Sequence, residues 1–507
     1  MQFLHEPGVE EGSLTLALPL GPSDTRGLER AMSNTRKKFV VLGGGACGMS
    51  AALELSRRGA SVVVLEREPR VGGLCGTHER DGWRFDFGGH RFITANPTLD
   101  DLVRSLVGDD LLERRRQSVV LNGGKRYRYP LELEDVLRHY GVRRGARALG
   151  SYLRAAVRQR FASSADGNFE DWVTHRFGQE LYGTFFGPYT EKLWGLPPDR
   201  ISADWAEQRI SLPSLWDVAL RLMRVSRPAA RTYARHYRYP RRGIGQIFER
   251  FAVEVERLGG EVRLGAEVLG LGLLRGSVRS VRFREEGKEL ELPCDGVVST
   301  LALPALFSML GPAPVDVERA ASRLRFRAIR LLNVMLEGGP VSPNTWMYVS
   351  EPDYLMARIQ EPIHRSPEMA PAGTTSLMLE IPCDFGDEVW SAPDEAIYDR
   401  SLEDLRRLGI EDVRARTRGY FSSHVKEGYP IYHLGYGEDR RRVLDRAAAV
   451  EGLVTCGRQG AFRYVFMDTA MEMGLEAARA ILAGRGGAHV AELGSAPRLH
   501  EGRVVTA

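Results

Sequence analysis

Residues 37 to 68, KKFVVLGGGACGMSAALELSRRGASVVVLERE, leave the chain little choice of fold. A β-branched run from Phe39 to Leu42 enters the turn Gly43-x-Gly45-x-x-Gly48. Apolar residues at helical spacing follow, and then a second β run, Ser61 to Leu65, that ends on Glu66. Two strands joined through a helix lie parallel, so this segment predicts an α/β, Rossmann-type domain. Glycines in the turn let the backbone approach a pyrophosphate at a helix N-terminus, and an acid closing the second strand accepts ribose hydroxyls. A glycine-rich turn with no ligand is the alternative. Strand, turn, helix, strand and acid in that order favour a dinucleotide, and Glu66 argues against one phosphorylated on that ribose.

The rest of the chain narrows the partners. With 507 residues, 43% of them apolar and 27% charged, there is room for more than one domain and a large core. A net charge of +4 is too small for a nucleic-acid partner to be expected. The five cysteines (Cys47, Cys75, Cys294, Cys383, Cys456) lie far apart without a Cys-x-x-Cys, so neither a disulfide framework nor a thiolate metal site is expected. The histidines show no metal-ligand spacing, and no metal is predicted. These features point to a reducing, cytoplasmic setting. No apolar run reaches the roughly 18 residues that span a bilayer. SLTLALPLG is short and follows acidic residues, so no secretory signal is expected, and residues 1–35 read as a loose extension.

Beyond Glu66 the sequence PRVGGLCGTHERDGWRFDFGGHRF places Gly72-Gly73 after the second strand, then Asp86-Phe87-Gly88-Gly89-His90. This resembles the FAD fingerprint of the amine oxidase, phytoene desaturase and protoporphyrinogen oxidase superfamily. Gly88 and Gly89 as simple hairpin turns are the alternative. The resemblance implies FAD as cofactor and a GR2-like, Rossmann-type FAD-binding domain that is discontinuous in sequence, drawn from residues 36–105, 236–305 and 440–484. A mixed helical and antiparallel-sheet substrate domain would complete it: a helical cap over 106–235 and a substrate-binding sheet over 306–439. The segment 485–507 would be a disordered tail. The stretch from Tyr239 offers a glycine-rich start, an amphipathic helix and a strand that, in relatives, runs beside the adenosine, which brings Val268 into the cofactor set. Near the C-terminus EGLVTCGRQGAFRYVFMDTAMEMGLEAARAIL reads as strand, loop and helix, with Asp468 or Thr469 placed to cap it. In relatives this helix aims its N-terminus at the flavin pyrimidine, where its partial positive charge stabilises the reduced anionic ring. Asp468 is either a cap or a flavin contact.

GPYTEKLWG at 187–195 closely resembles the segment before the active site of bacterial UDP-galactopyranose mutases. GRQGAFRYVFMD and the YPI at 429–431 resemble further landmarks of that family. The resemblance implies that Tyr189 and Trp194 flank a uridine, with core packing as the alternative for each. It makes Arg327 a diphosphate ligand, with a solvated arginine as the alternative. It sets Arg458 beside the flavin, Tyr464 on the diphosphate and Tyr429 near the sugar. There are departures: Ile93 stands where the mutases carry a histidine three residues after the one matching His90, and Pro213 stands where they carry a second diphosphate arginine. Arg209 is the substitute within reach in sequence. ADWAEQRI and TTSLMLEIPCDFGDE look more like bacterial proteins loosely called protoporphyrinogen oxidase-like.

A charge clamp on the leaving diphosphate is central to mutase chemistry, so losing half of it favours another reaction. The expected function is therefore a FAD-dependent oxidoreductase that passes hydride to flavin N5. Its substrate would be a sugar-containing small molecule, nucleotide- or carrier-linked, or a related biosynthetic compound. A redox-neutral nucleotide-sugar mutase using reduced FAD is the alternative, and a non-catalytic FAD-binding or lipid-surface protein is a third reading. The catalytic candidates are Arg327, Tyr429, Tyr464 and His90, and none of them is singled out as a general base. From about Pro130 to Arg242 the reading is mostly helical, with arginine-rich stretches that suit a basic rim, a peripheral contact with anionic lipid, or a solvated helix face. Apolar runs from 320 to 435 predict strands. The oligomeric state is left open.

Overall fold

The computed structural model describes residues 36–129, 133–161, 167–209 and 236–493. Lys38–Leu42, the helix Ala46–Arg57 and Ser61–Glu66 form the strand-helix-strand unit that the opening segment predicts. The two strands pair in parallel, Lys38 opposite Ser61 through Leu42 opposite Leu65. They sit at the centre of a five-stranded sheet ordered Leu453–Thr455, Gly296–Ser299, Lys38–Leu42, Ser61–Glu66, Glu261–Leu264. All four pairings are parallel, and the strands come from three stretches of chain far apart in sequence. Both faces are covered, which is why strands such as KFVVL and SVVVLE are apolar without alternation. The helix Met467–Leu482, rich in alanine and glycine on its buried side, packs closely against Ala46–Arg57. A Cβ at Gly474 would strike the carbonyl oxygen of Cys47.

The second layer is a seven-stranded sheet. Its order is Thr417–Pro430, Phe326–Glu337, Thr374–Cys383, Arg358–Gln360, Trp346–Val349, Ser118–Asn122, Lys125–Arg128. Phe326–Glu337 and Thr374–Cys383 are central, and every residue from Arg327 to Leu336 is buried. The strands expected between 320 and 435 are present. The sheet also recruits Ser118–Asn122 and Lys125–Arg128, which the sequence reading assigns to a helical cap, because the short β-branched run of SVVLN finds a parallel partner in Trp346–Val349. Between Arg327 and Ile329 the pairing with Thr417–Pro430 slips, so that Lys426, Glu427 and Gly428 stand opposite Ala328 alone. The bulge re-aims Tyr429, the residue directly opposite Arg327.

Helices Leu133–Phe161, Phe169–Phe177, Gly187–Trp194 and Ala203–Arg209 lie in the region expected to be mostly helical. His236–Pro240 departs from that expectation, since it is a strand paired antiparallel with Leu111–Arg115. Its alternation of aromatic and charged residues serves a two-sided ribbon. Pro213 and most of the second arginine-rich stretch lie outside the described residues. The disordered tail expected from residue 485 is corrected at its start: Ala488–Glu492 is a helix, fixed by the buried Arg440, which donates to the Ala491 carbonyl and pairs with Glu492 at 2.7 Å; residues 494–507 lie outside the described residues. No helix among the described residues is long and apolar enough to cross a membrane.

Candidate active site

The site begins at the glycine turn. Gly43 adopts φ +97°, a conformation that side chains resist, and a Cβ at Gly48 would collide with the Gly43 carbonyl oxygen. Helix and turn therefore approach more closely than any larger residue permits, leaving backbone N–H groups at the helix start for a phosphate. Tertiary structure adds the second doublet: the Gly72 N–H donates to the Gly44 carbonyl at 2.8 Å, and Gly72 forms a bridge with Gly45. Glu66 is buried at the end of its strand. Its carboxylate accepts from the Gly44 N–H at 2.6 Å and the Glu68 N–H at 2.9 Å, holding the turn while keeping acceptor capacity for a ribose. Burial raises its pKa against those two hydrogen bonds. Val268 lies just beyond Ala266, whose N–H bonds the Glu66 carbonyl at 2.8 Å, at the same edge of the parallel sheet.

From this cradle the chain runs to a cavity. Leu74, Phe87, Gly88, Gly89, His90 and Ile93 line it from the first part of the chain. Ile329, Trp346, Tyr348, Arg358 and Tyr429 come from the large sheet, and Arg458, Tyr464, Met467 and Asp468 from the C-terminal part. Residues more than 300 positions apart thus share one chamber between the two sheets. The helix Met467–Leu482 opens onto it with its N-terminal turn. Its cap position is Phe466, with no side-chain cap bond, so neither Asp468 nor Thr469 caps the helix. Asp468 lies inside the first turn and faces the chamber, buried.

Burial governs the chemistry of the lining. His90 is held neutral: desolvation first, then the guanidiniums of Arg458, Arg365 and Arg358, push its pKa down to about 3. Its Nδ1 is buried without a hydrogen-bond partner among the described residues. Tyr429 donates to Glu380 at 2.9 Å, and burial together with that carboxylate raises its pKa well above the usual phenol value. Glu380, fully buried, also accepts from Gln360 at 3.3 Å and pairs with Arg358 at 3.2 Å. Arg458 donates to the Val465 carbonyl at 2.8 Å and lies 4.4 Å above the Tyr464 ring, which is 5.6 Å from that of Tyr429.

Three sequence-predicted residues stand elsewhere. Arg327 is paired with Asp384 at 2.6 Å, donates to the Leu193 carbonyl, and is not among the residues lining the chamber. Trp194 is 1% exposed, packed among Trp205, Tyr429 and Tyr432, and so presents no ring face to a base. Tyr189 lies one layer behind the lining, edge-on to Tyr348 at 6.2 Å. Arg209 closes the helix Ala203–Arg209, and its side chain lies outside the described residues. Sequence reasoning passed over Arg91, Tyr348, Arg358 and Glu380. The available signals were one acid in the apolar strand TTSLMLEIPC and an arginine directly after His90, both at odds with their surroundings.

The sequence profile of the family described as flavin-containing amine oxidoreductases matches residues 46–482. The chain belongs to the flavin-containing amine oxidoreductase family. Its cofactor is FAD, and the steric limit at Gly48, the free acceptor capacity of Glu66 and the orphaned His90 Nδ1 all fit that group. Among curated relatives, protoporphyrinogen oxidase 2 of Arabidopsis thaliana is 26% identical over 194 residues, covering 36% of each protein. Coproporphyrinogen III oxidase of Propionibacterium freudenreichii is 23% identical over 461 residues, 81% of this chain and 84% of that protein. The chain spans 36% and 58% of the two Arabidopsis protoporphyrinogen oxidases it matches. In fold, the family member is similar to reduced UDP-galactopyranose mutase, with TM-score 0.78 and 20% identity over 92% of this chain and all of that one. It is also similar to cyclohexylamine oxidase from Brevibacterium oxydans, with TM-score 0.62 and 16% identity over 89% of this chain and 99% of that one.

Proposed function

We propose that the protein is a FAD-dependent oxidoreductase whose substrate is a sugar-containing small molecule, nucleotide- or carrier-linked, or a related biosynthetic compound. Bound FAD supplies a hydride acceptor at N5. The observation that carries this reading is the protonation state of the chamber: His90 is held neutral and Tyr429 is held protonated on Glu380. Neither group is tuned to trade protons near neutral pH, which suits a reaction driven by placement and desolvation more than by acid–base transfer. Leu74, Phe87, Ile93, Ile329, Trp346 and Phe466 exclude water from the reacting centre. Tyr429, fixed by Glu380, lines the chamber and orients the substrate.

Mutase chemistry requires a cationic clamp on a leaving diphosphate, and Arg327, the residue carried over for that role, is already neutralised by Asp384. One preparation separates the two reactions. Anaerobic addition of nucleotide sugars and of carrier-linked sugars to the oxidised holoprotein should bleach the flavin absorbance for the true substrate. Turnover only after dithionite reduction, with no net redox change, would replace the oxidoreductase reading with the mutase.

A further inference from the structure

Arg91 follows His90 into the chamber, and nothing described so far employs it. Its Nη1 is inaccessible to solvent and has no hydrogen-bond partner among the described residues. The charged group acting on it is another cation, Arg116, so that burial and like charge together lower its pKa to about 10. It lies 5.5 Å from the Trp346 ring centroid, and Arg116 and Arg365 approach the same indole at 5.2 and 5.9 Å. Two neighbouring arginines face a carboxylate, and among the described residues Arg91 does not. Arg365 faces Asp86 at 3.7 Å and Arg358 faces Glu380 at 3.2 Å. Arg116 donates to the Ser118 hydroxyl at 3.2 Å and lies 4.4 Å over Tyr129. Arg458 and Asp468 face the same chamber beside the helix end.

A guanidinium whose Nη1 is shut off from water, with no counter-charge among the described residues, is costly, and a π-face recovers only part of the lost hydration. The local field points the same way. Burial raises the pKa of the Tyr348 phenol, yet Arg116, Arg358 and Arg91 outweigh burial and bring it below the usual value. The protein has built a spot where negative charge is favoured, beside an O–H donor and a cation with open hydrogen-bonding capacity. We propose that Arg91, with the Tyr348 hydroxyl and with Arg116 behind them, forms an anion-binding subsite of the chamber that takes an oxyanion of the substrate, a phosphate or a carboxylate. Guanidinium forks suit both oxyanions, since each offers two oxygens in one plane.

This subsite rests on reading the chamber as the place where substrate binds, but its test involves no turnover. The FAD-loaded full chain is titrated with inorganic pyrophosphate and, separately, with succinate, following the flavin difference spectrum and the heat of binding. The expected result is saturable binding of at least one anion, the tighter of the two identifying the oxyanion class. Arg91→Met should weaken it about tenfold or more at unchanged FAD per chain, since a charge-assisted hydrogen bond is lost. Arg91→Lys should keep part of the affinity, and Tyr348→Phe should weaken binding less than Arg91→Met does. If Arg91→Met does not fold, Arg91→Lys and Tyr348→Phe decide. Unchanged affinity in the variants, or no binding of either anion to the wild-type chain, overturns the subsite. Loss of FAD from Arg91→Met also overturns it, since the anion served would then be the cofactor's own pyrophosphate. Failure of substrate oxidation alone leaves these titrations intact.

Discussion

Replacing Glu380 by glutamine tests how the chamber is held together. The carboxylate is 1% exposed and accepts from Tyr429 at 2.9 Å and Gln360 at 3.3 Å, and pairs with Arg358 at 3.2 Å. Burial would lower the pKa of Arg358, but Glu380 foremost, with Tyr189, Tyr429 and Tyr348, holds it well above its ordinary value. Glutamine keeps the shape and one acceptor oxygen, yet it brings an NH2 group to a site crowded with donors and leaves Arg358 without a counter-charge. Removing one partner of a buried pair costs about 3–5 kcal/mol. The 16% exposure of the Arg358 side chain lets some water share the charge, so about 3 kcal/mol is expected, a shift of roughly a hundredfold in the folded-to-unfolded ratio. Urea unfolding followed by tryptophan fluorescence, on holoprotein at fixed FAD, gives the loss for Glu380→Gln, for Arg358→Met and for the double variant. If the pair is the main term, the double variant should be less destabilised than the sum of the singles by about 1–3 kcal/mol. Additive losses, or a Glu380→Gln change below about 0.5 kcal/mol, would refute the argument that this carboxylate neutralises Arg358.

Three further outcomes follow from the same geometry. Gly48→Ala should purify with little or no FAD, because its Cβ meets the Gly43 carbonyl and forces turn and helix apart; wild-type flavin absorbance per chain would contradict the turn's role. His90, whose folded pKa of about 3 lies below its unfolded value of about 6.5, should make stability rise with pH between those values and fall as acid protonates the unfolded chain preferentially, by up to about 1.4 kcal/mol per pH unit. Urea midpoints at successive pH values should therefore show a shallower acid loss in His90→Gln, and an identical slope would mean that His90 is not held neutral. Tyr429→Phe should keep FAD but lower turnover, since the ring loses its bond to Glu380 and with it a fixed orientation; loss of FAD instead would move Tyr429 to the cofactor side.

Much of the fold is legible in local sequence because its signals are local. The glycine turn, the β-branched runs of Phe39–Leu42 and Ser61–Leu65, and Glu66 at the strand end specify a parallel unit within some thirty residues. The regions misread are those where a distant partner decides. SVVLN becomes a strand because Trp346–Val349 accepts it, HYRYP because Leu111–Arg115 does, and Ala488–Glu492 becomes a docked helix because Arg440 reaches it. The residues carried over by resemblance divide in the same way. Tyr429, Tyr464, His90 and Arg458 meet in the chamber, whereas Trp194 is spent on packing and Arg327 on an ion pair.

By itself, the sequence determined that this chain builds a dinucleotide cradle, and the resemblance carried by the second glycine doublet implied that the dinucleotide is FAD. The cradle resides in backbone turns and strand ends encoded by neighbouring residues. Only the tertiary structure decided the character of the chamber, because charge and burial there depend on side chains from strands hundreds of residues apart. The neutrality of His90, the protonation of Tyr429 on Glu380 and the lack of a hydrogen-bond partner for Arg91 Nη1 among the described residues are properties of that assembled environment, and no stretch of sequence carries them alone.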